Sequence, residues 1–313
     1  MRTADGEMAD EKQGHPIARR VITALSAAAG VVALFLWCPL RLMAPILMLL
    51  SALVQLEFYQ IAAKRGYDPV PRFGILLGTL WIAFTAAFPG QVFFAGCAAY
   101  GVMAFGPAIF LFSVYVMLRS SFTKPVGTIA VTLLGFFYVP FLISFFLRIV
   151  QFSPAPGPIF SMPDSRVGLY TLFALLAATK LSDMGGFAFG LAFGRHKMCP
   201  SISPKKSWEG FAGSVVGATL MALLFRWIAV RRDWAVDCAV WDHVTVPVAV
   251  AVGVTVAVVG TLGDLVESRF KRECGVKDSA TFMPAGMGGF LDMFDSILFV
   301  PAVFYPVIVH FSR

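Results

Sequence analysis

The chain has 313 residues, of which 58% are hydrophobic and only 14% charged, and its mean hydropathy is +0.78. A surface of that composition excludes a water-soluble globular domain. The formal charge of +7 is accounted for by loop cations that set membrane topology and favour anionic head groups, and gives no reason to invoke nucleic acid as a partner.

Residues 1–20 are polar and aperiodic, and are expected to form a short disordered cytoplasmic tail. Beyond them, apolar runs of the ~20 residues needed to cross ~30 Å of hydrocarbon as a helix recur about nine times: near 21–39, 43–63, 73–89, 92–117, 127–149, 167–194, 209–230, 245–265 and 290–310. The first ends in Trp37, Cys38 and Pro39, a poor small-residue cleavage site, so it reads as a retained helix, not a signal peptide. The fourth is long enough to tilt or break at Gly106 and Pro107. Glu57 stands alone in the second run with no assigned role. The expected fold is an all-α polytopic integral membrane protein, with 21–166 as an N-terminal transmembrane scaffold and 167–313 as a C-terminal catalytic region.

Most of the 25 Lys and Arg fall in alternate segments that include Arg19, Arg20, Lys64, Arg65 and the loops 195–208 and 266–289. Positive flanks are retained in the cytoplasm, which places the N-terminus and both loops inside and the C-terminus outside. Five cysteines lack paired spacing, so neither a zinc site nor a disulfide framework is suggested. His196, beside Arg195 and Lys197, reads as a surface residue. No Walker-type phosphate loop and no dinucleotide fingerprint is present.

Two polar regions interrupt the apolar pattern. In 180–210, Lys180 and Asp183 lie three apart on a helix and are expensive in lipid unless they pair or face a wet cavity. Gly186, Gly190 and Gly194 recur at the spacing of close helix packing. Lys205 and Lys206 follow Ser203 and Pro204 in a turn, and Ser207, Glu209 and Gly210 read as a helix start, an arrangement that suits a polyphosphate. In 261–296, Asp264 ends one apolar run while Asp292 and Asp295 begin the next, and at a spacing of three they point to the same side of a helix. Three carboxylates can thus converge on a divalent cation. Arg269, Lys271, Arg272 and Lys277 add positive charge, and Gly286, Gly288 and Gly289 let backbone amides approach anionic oxygens.

Together these regions resemble the phosphatidate cytidylyltransferase (CDP-diglyceride synthetase) family over roughly residues 180–300. The matching signature is Ser268, Phe270, Lys271, Arg272, Lys277, Asp278, Pro284, Gly288, Gly289, Asp292 and Asp295, together with the upstream SPKKSWEG and the polar helix bearing Asp183. There are two departures. PAGMGG carries one extra residue and has Met287 where the family has histidine, and Met293 replaces the arginine after Asp292. The resemblance implies that the phosphate of phosphatidic acid attacks the α-phosphorus of CTP, forming CDP-diacylglycerol and releasing pyrophosphate.

It further implies Mg²⁺ at Asp264 and Asp292 with Asp295 adjacent, and accommodates a second, monovalent cation. Lys205, Lys206, Lys271, Arg272 and Lys277 then hold the triphosphate or the lipid phosphate. Asp278 orients Lys277 or meets the second cation. Asp183, Ser203, Ser268, Gly288 and Gly289 are substrate contacts, with a structural hydrogen bond the alternative for the two serines. A homodimer in a bacterial inner membrane is the implied setting. An ion-coupled transporter would also place carboxylates within the membrane, and a CTP-dependent lipid kinase would move the γ-phosphate instead. The absence of an internal repeat and the C-terminal concentration of polar residues oppose the transporter.

Overall fold

The computed structural model describes residues 40–88, 97–152, 167–231, 244–276 and 289–311. The chain forms α1 (Leu40–Lys64), α2 (Pro71–Ala87), α3 (Cys97–Leu118), α4 (Pro125–Val150), α5 (Val167–Phe193), α6 (Trp208–Arg231), α7 (Val246–Glu273), α8 (Phe290–Phe294) and α9 (Phe299–Phe311). A two-stranded antiparallel hairpin, β1 (Lys197–Cys199) and β2 (Ser203–Ser207), joins α5 to α6. Among the described residues, six helical segments are long and apolar enough to span a membrane, while α2 and the part of α3 from Phe105 are shorter apolar helices. The expected run at 21–39 and the N-terminal tail lie outside the described residues. α3 continues through Pro107 as one helix rather than breaking there.

Proline sets several helix boundaries. Pro71 and Pro125 occupy the first turns of α2 and α4, where a missing N–H costs nothing. Pro140 sits inside α4 within a π-turn over Phe137–Phe141, the local widening that absorbs a lost backbone bond. Ser144 donates its hydroxyl to the Phe141 carbonyl at 2.6 Å and accepts the Trp81 indole N–H at 3.1 Å, so the irregular turn is stitched to α2. The Pro140 ring packs on Gly78, where a Cβ would lie 2.7 Å from Pro140 Cγ.

α1, α2 and α4 pack around Tyr59, which is 1% exposed. Its hydroxyl donates to the Thr132 carbonyl at 2.8 Å and accepts from Gln55 at 2.9 Å. Gly74 and Gly135 leave the space this ring fills.

α5 and α6 meet backbone to backbone. A Cβ at Gly185 would stand 2.4 Å from the Gly213 carbonyl oxygen, and one at Gly217 2.4 Å from that of Leu181. Small residues permit this approach in a membrane, where packing rather than the hydrophobic effect holds helices together. The glycine stripe anticipated at 186, 190 and 194 therefore works inside the chain, with Gly186 against Ser214 and Gly190 against α6, and lends no support to a dimer. α7 packs on α5 and α6, while α9 returns against α4 and α7.

Candidate active site

The last turns of α7 carry Thr261, Asp264, Glu267, Ser268 and Lys271, at spacings of three and four that place them along one side of the helix. The helix closes behind them with a Schellman arrangement. The Val276 amide donates to the Lys271 carbonyl and the Gly275 amide to that of Arg272, with Gly275 at φ +72°. Lys271 and Arg272 in this final turn also suit the negative end of the helix dipole.

α8 brings the second set of acids. Gly289 precedes the helix in extended conformation, and its N–H donates to Asp292 Oδ2 at 2.8 Å. The other oxygen of Asp292 accepts from Lys271 Nζ at 2.8 Å, and the same ammonium meets Glu267 Oε2 at 2.7 Å. Lys271 thus bridges two carboxylates, one of which, Glu267, is 0% exposed. Asp295 follows the end of α8 in a turn, where it accepts the Ser296 amide. Carboxylate oxygens of Asp264, Glu267 and Asp295 all lie within 4.8 Å of one another.

That convergence depends on a missing side chain. A Cβ at Gly263 would lie 2.6 Å from the Asp295 carbonyl oxygen, so only glycine lets the turn lie on α7. Gly263→Ala is expected to push the turn off α7 with a stability loss of about 1–3 kcal/mol, the usual cost of overpacking. Thermal unfolding of the purified variant checks it.

A cavity of ≈ 310 Å³ opens beside these acids, lined on one wall by Ser203, Lys205 and Lys206 of the hairpin and on the other by Asp183, Asp264 and Asp295. Ser207 Oγ caps α6 by accepting the Gly210 amide at 3.2 Å. The two lysines lie in β2 rather than in the expected turn. Lys206 Nζ reaches across to Asp264 Oδ2 at 2.7 Å and to the Thr261 carbonyl at 3.2 Å. Asp183 lines the cavity, meets Lys180 at 3.5 Å and accepts from Ser296 Oγ at 2.8 Å, so these two charged residues pair, as their expense in lipid requires. His196 is an exposed loop residue whose ring Nδ1 lies 2.6 Å from Glu209.

The residues anticipated from sequence divide into four groups. Asp183, Ser203, Lys205, Lys206, Asp264 and Asp295 share the cavity. Ser268 donates to Asp264 at 3.3 Å, while Lys271, Gly289 and Asp292 form the adjoining chain of contacts. Arg272 is exposed at the end of α7. Lys277, Asp278 and Gly288 lie outside the described residues. Asp292 and Asp295 do not act as one face of a helix, because α8 ends at Phe294 and their side chains take different partners. Glu267 was not anticipated. Its signal was present, three residues after Asp264 and four before Lys271, but it lay within a mixed run of charges from Asp264 to Glu273.

These features define an integral membrane protein whose helices enclose a site of carboxylates and lysines. The chain belongs to the cytidylyltransferase family, whose model matches residues 18–311. It is 41% identical over 128 residues to a phosphatidate cytidylyltransferase of Mycobacterium tuberculosis, covering 41% of this chain and 35% of the relative. It is 32% identical over 205 residues to one of Chlamydia trachomatis, covering 64% and 62% respectively. A third, from Staphylococcus epidermidis, is 42% identical over 131 residues, or 42% and 45%. The match spans less than two thirds of the length of each of these relatives.

Proposed function

We propose that this protein is a phosphatidate cytidylyltransferase, converting CTP and phosphatidic acid to CDP-diacylglycerol and pyrophosphate at the cytoplasmic edge of the membrane. The observation that carries this reading is the meeting of Asp264, Glu267 and Asp295 within 4.8 Å, flanked by Lys206 and Lys271. Family membership and the names of the relatives support the substrate pair.

In the reaction, an oxygen of the lipid phosphate forms a bond to the α-phosphorus of CTP as the α–β phosphoanhydride bond breaks and pyrophosphate leaves. The nucleophile is already an anion, so no general base is required. The side chains have to position two polyanions and neutralise their mutual repulsion. Lys205 and Lys206 supply positive charge at the cavity wall, Ser203 adds a hydroxyl, and Lys271 holds Asp292 and Glu267 in place.

Lys206 and Lys271 offset part of the mutual repulsion of these three neighbouring carboxylates, one of them fully buried, and a divalent cation among them would offset more. Their hard oxygen donors suit Mg²⁺, which binds a few carboxylates together with phosphate oxygens and water. Asp264, Glu267 and Asp295 are the residues proposed to hold it, with Asp292 adjoining through Lys271. Bound there, Mg²⁺ would supply charge stabilisation to the phosphate oxygens. Phe187 and Phe211 also line the cavity, and Phe187 is 74% exposed on the flank of α5. This gives the acyl chains an apolar approach beside the polar site.

Purified protein in lipid, given CTP labelled at the α-phosphate and phosphatidic acid, should place label in the lipid fraction. Transfer of label from the γ-phosphate alone would make the protein a lipid kinase. Ion-coupled solute flux with no lipid labelling would make it a transporter.

A further inference from the structure

Glu57 belongs to none of the groups described so far. It lies in α1, is 0% exposed, and is far in sequence from every acid of the site. Its Oε2 accepts the backbone N–H of Leu291 at 2.9 Å. Leu291 is the residue before Asp292 and is itself 0% exposed. Glu57 Oε1 is buried with no hydrogen-bond partner among the described residues. Burying a polar side-chain oxygen without a partner has a cost, which simple space-filling would not require, since a methionine fills a similar volume without it.

The neighbouring residue grips the other half of the site. Phe58 stacks on Phe270 with ring centroids 4.4 Å apart and planes 4° from parallel, and Phe270 immediately precedes Lys271. Two consecutive scaffold residues therefore fasten the two segments whose carboxylates must meet. Glu57 holds the α8 turn that carries Asp292 and Asp295, and Phe58 holds the end of α7 that carries Glu267 and Lys271.

We infer that Glu57 is a positioning residue, whose carboxylate pins the Leu291 amide to α1 and so sets the register between the α8 turn and the acidic face of α7. It touches no substrate. Its effect is on whether Asp292 reaches Lys271 and whether Asp295 reaches Asp264 and Glu267. The role rests on the proposed site, although the contact itself does not depend on the reaction.

The test compares Glu57→Gln, which keeps an acceptor oxygen at the same reach, with Glu57→Met, which keeps volume and loses the acceptor, and Glu57→Asp, which shortens the reach. Hydrogen–deuterium exchange over residues 289–296 should show protection in the wild type and in Glu57→Gln, and its loss in Glu57→Met and Glu57→Asp. With CTP and phosphatidic acid, the Met and Asp variants should lose at least tenfold in kcat with KM for CTP within about twofold, while Glu57→Gln recovers most of the rate. If Glu57→Met does not fold, Glu57→Asp decides on the same readouts. A folded Met or Asp variant with wild-type protection and turnover overturns the inference. So does a Gln variant as impaired as the other two. Should the wild type not transfer cytidylate at all, the functional reading fails, and the exchange pattern alone decides the role of Glu57.

Discussion

Asp264→Asn is expected to lower turnover by more than about a hundredfold while the protein still folds. The amide matches the carboxylate in size, and Asp264 sits at the cavity wall rather than deep in the bundle. It removes one of the three acids proposed to hold Mg²⁺ and the partner of Lys206 at 2.7 Å. Losing metal-assisted charge stabilisation costs several kcal/mol of barrier, and each ~1.4 kcal/mol is tenfold in rate. The Mg²⁺ concentration for half-maximal rate should rise as well. Near-normal synthesis with unchanged Mg²⁺ dependence would show that the divalent cation is held elsewhere.

Lys271→Met should affect folding and chemistry together. The lysine side chain is 13% exposed, and it pairs with both Glu267, which is 0% exposed, and Asp292. Removing one partner of a buried ion pair typically costs about 3–5 kcal/mol, because the other charge is left uncompensated. A loss of that size in thermal or denaturant unfolding is expected, with turnover falling beyond detection. Pairing the change with Glu267→Gln should recover much of the stability but none of the turnover. If the double variant is as unstable as Lys271→Met, the penalty arises from lost packing of the lysine stem rather than from the stranded carboxylate.

The helices were legible in the sequence because lipid imposes a simple rule: runs such as 43–63, 127–149 and 167–194 leave few alternatives to a spanning helix. α8 and the turn after it were not legible as such. Asp292 and Asp295 have helical spacing, but the helix stops between them, and a boundary set by the close fit of Asp295 on Gly263 leaves no local signal. Lys205 and Lys206 were recognised as anion-binding chemistry, yet their place in a strand depends on the pairing of Lys197 with Ser207. Glu267 was hidden by its neighbours. In a stretch crowded with charge, type and spacing do not distinguish the acid that turns inward from those that meet water. Glu57 was conspicuous for the opposite reason, as a lone acid in an apolar run, but its partner is a backbone amide 234 positions away, which no side-chain pattern reveals.

The length of α7 ties this chemistry to the thickness of the bilayer. From Val246 to Gly263 the helix is almost wholly apolar, and at about 1.5 Å per residue it rises roughly 27 Å before the first acid. That is close to the ~30 Å of an average hydrocarbon core, and mismatch is relieved by tilt or local deformation at a fraction of a kcal/mol per Å. A span of that length would set the acids from Asp264 onward at the edge of the hydrocarbon, with tilt of the helix taking up the difference in a thinner bilayer.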